Sequence, residues 1–129
     1  VVVADTDWAT LSIDAAETAT ERTLVGFVGA TLCNGYAGRQ LRRLLKEQRL
    51  VEIHVEVWPI VWSDYATFRA TSLSLLHMEQ RAVRAGVVTA AEMSRLDETL
   101  ADADRHDAFF ASGSIVVASG RKTAAYSLT

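Results

Sequence analysis

The sequence of 129 residues has one cysteine, one proline and three histidines. The lone Cys33 excludes an internal disulfide and a cysteine zinc site. It precedes a turn and has no activating partner in the sequence, so it is read as incidental. His54, His77 and His106 lack metal-like spacing, and none stands out as a general base. No apolar run approaches the roughly 18 residues that suggest a membrane helix. A soluble, cytoplasmic chain is expected. Excess charge is also missing: 13 basic and 16 acidic side chains leave a net charge of −3. That balance offers no case for nucleic acid or an anionic membrane as partner. No serine sits on a strand–helix elbow, and no nucleophile–base pair of the hydrolase kind is visible. What is present is apolar content: 50% of residues are hydrophobic, enough for a core and too much for wholesale disorder.

The chain starts with Val1-Val2-Val3-Ala4. A continuous β-branched run of this kind belongs to a strand covered on both faces, here ending in a polar turn, Asp5-Thr6-Asp7. A start without methionine, inside a core strand, has two readings. Either a tag or leader has been removed, or the chain is a piece of a larger domain. Residues 14–30 read as a helix and 31–38 as a loop, with Asn34-Gly35 as the turn signal. Residues 38–48 make a clearer helix, because Leu41, Leu44 and Leu45 share a face. Residues 50–59 alternate Val51, Ile53, Val55 and Val57 with Glu52, His54, Glu56 and Trp58, a half-exposed strand that Pro59 should end. Residues 63–85 read as helical through Tyr65, Phe68, Ser72, Leu75, Leu76, Glu79 and Val83, with Gly86 as the stop. Thr89-Ala90-Ala91-Glu92 is a capping box opening a helix to about residue 103. Ile115 to Ala118 form a second continuous apolar strand, and the tail is expected to fray beyond Lys122.

These patterns fit one arrangement. The last strand lies between the first and the middle strand, antiparallel to the middle one, with a helical insert before it. The first and middle strands, joined through helices, run parallel. The expected fold class is α/β, with a three-stranded mixed sheet in the order first-last-middle. The first strand then keeps an open apolar edge, an aggregation liability in a complete domain. Strands preceding residue 1, or a partner chain, are expected to cover it.

In this order the segments resemble the C-terminal part of a class I S-adenosylmethionine-dependent methyltransferase of the small-molecule group. Val1-Val2-Val3-Ala4-Asp5-Thr6-Asp7-Trp8 resembles the fifth strand of that Rossmann-like fold. Gly38-Arg39-Gln40-Leu41-Arg42-Arg43-Leu44-Leu45 resembles the next helix. Leu50-Val51-Glu52-Ile53-His54-Val55-Glu56-Val57 resembles the sixth strand. Residues 113–122, closing on Gly120-Arg121-Lys122, resemble the seventh. The resemblance implies methyl transfer from S-adenosylmethionine to a small-molecule acceptor by in-line displacement, with the enzyme supplying proximity and orientation. It implies that residues 1–129 form a single partial domain. The family's glycine-rich loop and its ribose-binding acid have no counterpart here. The chain alone is therefore expected to bind no cofactor and to be inactive. Where the family commonly has glycine after the helix, this chain has Arg49.

The residues expected on the acceptor side are Asp7, Trp8, Trp62 and Tyr65. Asp5, Asp7 and Trp8 lie at the carboxyl end of the first strand, which in open α/β sheets faces the ligand crevice. The plainer reading of the two aspartates is helix capping in a solvated turn. Trp58, Trp62, Tyr65 and Phe68 form an aromatic cluster suited to a flat apolar acceptor, or simply to packing the insert on the sheet. The acidic run Asp97, Glu98, Asp102, Asp104 and Asp107 reads as a solvated helix face. The alternative to an enzyme is an α+β interaction module that self-associates through the Val1-Val2-Val3-Ala4 edge.

Overall fold

A computed structural model describes residues 1–71 and 75–123, and the side chains outside 71–76. The elements are β1 (Val2–Ile13), α1 (Thr18–Thr31), α2 (Ala37–Glu47), β2 (Val51–Trp62), α3 (Tyr65–Thr71), α4 (Leu75–Arg84), α5 (Ala90–Arg105) and β3 (Ala111–Arg121). The sheet order is β1-β3-β2, and β3 is antiparallel to both neighbours. The expected strand order therefore holds. The sheet is not mixed, however. β1 and β2 run parallel, but β3 returns between them after the helical insert, so every pairing is antiparallel. The helical reading of Ser72 and the expected fraying of the tail fall outside the described residues.

Two further expectations need correction. The Asp5-Thr6-Asp7 segment is not a turn: β1 continues to Ile13, with an irregularity between Asp7 and Ser12 where its register against β3 shifts. In that interval the Trp8 amide turns to the Gly35 carbonyl at 2.9 Å. Nor does Pro59 end β2, which runs on to Trp62. β2 is an edge strand, and a proline whose nitrogen faces the unpaired side costs no ladder bond.

The start of β1 is not buried either. Val1 is 57% exposed and Val2 73% exposed. The reason lies in what covers the sheet. α2 packs Leu41 and Leu45 over Val3, Leu50, Ile53, Val116 and Ala118 on one face. On the other face the register places Val2, Ala4 and Trp58, all exposed, around Ile115 and Val117. Among the described residues the outer edge of β1 has no strand partner.

The larger core lies at the carboxyl ends of β1 and β2. There Leu11, Ile13 and Ala111 meet Leu24 and Val28 of α1, and Phe68, Met78, Leu96 and Leu100 of the insert. The capping box forms as expected: Thr89 accepts the Glu92 amide and Glu92 accepts the Thr89 amide. Gly38 lets α2 approach the sheet, since a Cβ there would stand 2.9 Å from Val116 Cγ2 and 3.0 Å from the Asp7 nitrogen.

Arg49, where the resemblance led to the expectation of glycine, takes a left-handed turn with φ of 58°. Its amide reaches the Lys46 carbonyl at 2.9 Å, closing α2. A side chain in this region costs about 1 kcal/mol. Arg49→Gly is expected to raise the melting temperature by about 2–5 °C. An unchanged or lower value in a thermal scan would show that the turn carries no such strain.

Candidate functional site

The four residues expected on the acceptor side separate into two places. Asp7 faces α2, where Arg39 grips it in bidentate fashion, Nε to Oδ2 at 2.6 Å and Nη2 to Oδ1 at 3.0 Å. The Asp7 side chain is 4% exposed and that of Arg39 is 52% exposed. The pair forms one side of a cleft of about 300 Å³ that also exposes Val55 and Val57 of β2. Asp7 thus fastens α2 to the sheet. It does not cap a helix.

Trp8, Trp62 and Tyr65 belong instead to the larger core. Trp8 and Trp62 pack half-buried against it. The Trp62 and Phe68 rings meet edge-on at 5.2 Å, and Phe109 stands 5.3 Å from Tyr65 and 5.5 Å from Phe68. Phe68 is fully buried. These rings pack the insert on the sheet. Trp58 stands apart, exposed, with its indole N–H on Glu56.

Tyr65 differs, because its hydroxyl enters a polar network inside the helical insert. It donates to Asp97 Oδ1 at 2.6 Å and accepts from Arg69 Nη1 at 2.9 Å. Arg69 also reaches Asp97 at 3.0 Å and, through Nη2, Glu79 Oε2 at 3.1 Å. Its guanidinium carbon lies 5.5 Å from the centre of the Tyr65 ring. Burial, then the Asp97 hydrogen bond, push the Tyr65 phenol far above its usual range. Asp104 accepts the Tyr65 amide at 3.0 Å, at the start of α3. Of the acidic run, Glu98 and Asp102 on α5 and Asp107 just beyond it are exposed. Asp97 and Asp104 serve the insert.

Glu79 is buried, and it borders an open groove of about 350 Å³ between α4 and α5. Burial first, and the neighbouring Asp97 second, push its carboxyl up to about 7 against the opposing pull of Arg69. A carboxyl held near neutrality beside a largely apolar groove can accept a proton or pair with a cation. A wider groove of about 680 Å³ lies between Asp14 at the end of β1 and the last turns of α5. Its carboxylates Asp14, Glu98 and Asp102 are exposed and screened by solvent. The Glu79 groove is the better candidate, because its carboxylate is buried.

The sequence carried one signal of Glu79. It falls on the apolar stripe of its helix, in line with Leu75, Leu76 and Val83, where an acid is out of place. Arg69 and Asp97 carried none, since they come from other helices. Among the described residues no group of His, Cys, Asp and Glu could hold a metal ion. Nor does any helix there have the length and apolarity to cross a membrane. In comparisons with known proteins, the chain matches no family model and no curated protein sequence.

Proposed function

We propose that this chain is the acceptor-side part of an S-adenosylmethionine-dependent methyltransferase acting on a small molecule. One observation carries the reading. β3 lies antiparallel between two parallel strands, and β1, on the side where such a sheet continues, has no strand partner on its outer edge among the described residues, with Val1 and Val2 exposed. The larger core and its insert stand at the carboxyl ends of β1 and β2, where α/β sheets bind ligands.

The residues present do not fit the cofactor itself. Gly26 and Gly29 lie within α1, Gly35 is packed against the Gly29 carbonyl, and Gly38 seats α2 on the sheet. None forms a strand–loop–helix cradle. Under this reading the chain contributes acceptor binding, orientation and the exclusion of water by the insert.

Calorimetry of the chain with S-adenosylmethionine is expected to show no saturable heat. Micromolar binding would overturn the assignment of roles. The open β1 edge also favours a second reading, a module that pairs with a second copy through Val1-Val2-Val3-Ala4. Light scattering separates the two, because the module requires a dimer mass.

A further inference from the structure

We propose that the open groove between α4 and α5 binds a small apolar amine through its ammonium group, with Glu79 as counter-ion. The groove is lined by Glu79, Gln80, Val83, Arg84, Ala90 and Met93. Its volume of about 350 Å³ lies in the range of small-molecule sites. The walls are apolar side chains and the stems of long polar ones, which suits an apolar ligand body. One buried carboxylate supplies orientation.

The charge balance selects the sign of the ligand. Arg69 of α3 faces two carboxylates, Glu79 of α4 and Asp97 of α5. A single guanidinium leaves the group one positive charge short when both are ionised. A proton on Glu79 fills that gap in the free protein, in keeping with its carboxyl near 7. A bound ammonium fills it equally well and displaces the proton. Arg84 stands at the groove rim, yet the ion pair of Glu79 among the described residues is with Arg69. An anionic ligand would instead meet a carboxylate already short of partners.

This inference deepens the acceptor-side reading by naming a class of acceptor, and rests on that reading only in calling the amine an acceptor. The test is calorimetry of the 129-residue chain with n-hexylamine, using 1-hexanol and hexanoate as uncharged and anionic controls. At pH 8, hexylamine is expected to bind at least about tenfold more tightly than hexanol, and hexanoate more weakly than either. Between pH 6 and pH 8 the amine affinity should rise about tenfold, because a carboxyl near 7 must be ionised to pair with it. Glu79→Gln should reduce hexylamine to the hexanol level. Val83→Phe, which fills the groove and leaves the charges in place, should abolish binding of both while circular dichroism stays native. It decides the matter if Glu79→Gln does not fold. Equal affinity for hexylamine and hexanol, a preference that survives Glu79→Gln, amine binding that survives Val83→Phe, or no saturable binding would each overturn the proposal. No methyl transfer enters the measurement. Failure here therefore leaves the methyltransferase reading standing, and amine binding would stand even if that reading fell.

Discussion

Arg69→Met is expected to lower the unfolding free energy by about 2–4 kcal/mol, read from urea denaturation at pH 8. Arg69 is the one cation within bonding distance of both Glu79 and Asp97 among the described residues. Methionine keeps an unbranched apolar stem but loses the guanidinium over the Tyr65 ring. What it removes is the charge, together with three hydrogen bonds, to Tyr65, Asp97 and Glu79. Two carboxylates then face each other in a half-buried site. The cost stays below that of a fully buried broken pair because the Asp97 side chain is 36% exposed and keeps some hydration. The triple variant Arg69→Met, Glu79→Gln, Asp97→Asn should recover most of the loss, since no charge is then left unpaired. A single variant as stable as the parent would mean that the network contributes nothing to the insert.

Stability is also expected to fall as pH rises from about 5 to 8, through Glu79. Burial first, and Asp97 second, push the folded carboxyl up to about 7, against about 4.3 for an unperturbed glutamate. Below the unfolded value both states hold the proton, and the contribution is fully present. Between the two values the unfolded chain releases its proton while the folded chain keeps it. The contribution is lost as pH passes through the folded value. A shift of this size corresponds to about 3–4 kcal/mol at most, and residual solvent contact reduces it to about 1–3 kcal/mol. Urea midpoints at pH 5 and pH 8 measure it. Glu79→Gln should flatten this part of the pH profile and be the more stable protein at pH 8. Equal slopes in the two proteins would refute the burial of a titrating Glu79.

Much of this fold was legible because its signals are local. The alternation from Val51 to Val57, the Leu41, Leu44 and Leu45 stripe, and the Thr89 and Glu92 box each act within one element. The placement of the last strand between the others followed from strand burial and connection length together. That inference reached the right order even though its premise about the first strand was wrong. Val1 and Val2 read as buried from composition, but their exposure depends on which elements lie over the sheet, and α2 covers only one face.

The irregularity after Asp7 was hidden for a related reason. The Trp8 amide finds its partner at Gly35, far along the chain. Pro59 reads as a stop because its ring removes a donor, yet β2 runs on to Trp62, as an edge strand can where a proline nitrogen faces away from the neighbouring strand. The candidate site was the least legible part. Its members come from three helices, and Glu79 is unusual only once Arg69 and Asp97 are known to face it. Of the residues expected on the acceptor side, Tyr65 alone touches this network.

The central proposal is that residues 1–129 take the acceptor side of a methyltransferase, and that the outer edge of β1, unpaired among the described residues, is a pairing edge. The most direct measurement is calorimetry with S-adenosylmethionine on residues 1–129 and on the full product of the encoding gene. One saturable site is expected in the full gene product and none in residues 1–129. Amide exchange at Val2, Val3 and Ala4 should slow by at least about tenfold once their outer edge is paired. Binding by residues 1–129 alone, or a full gene product that neither binds the cofactor nor protects this edge, would contradict the account.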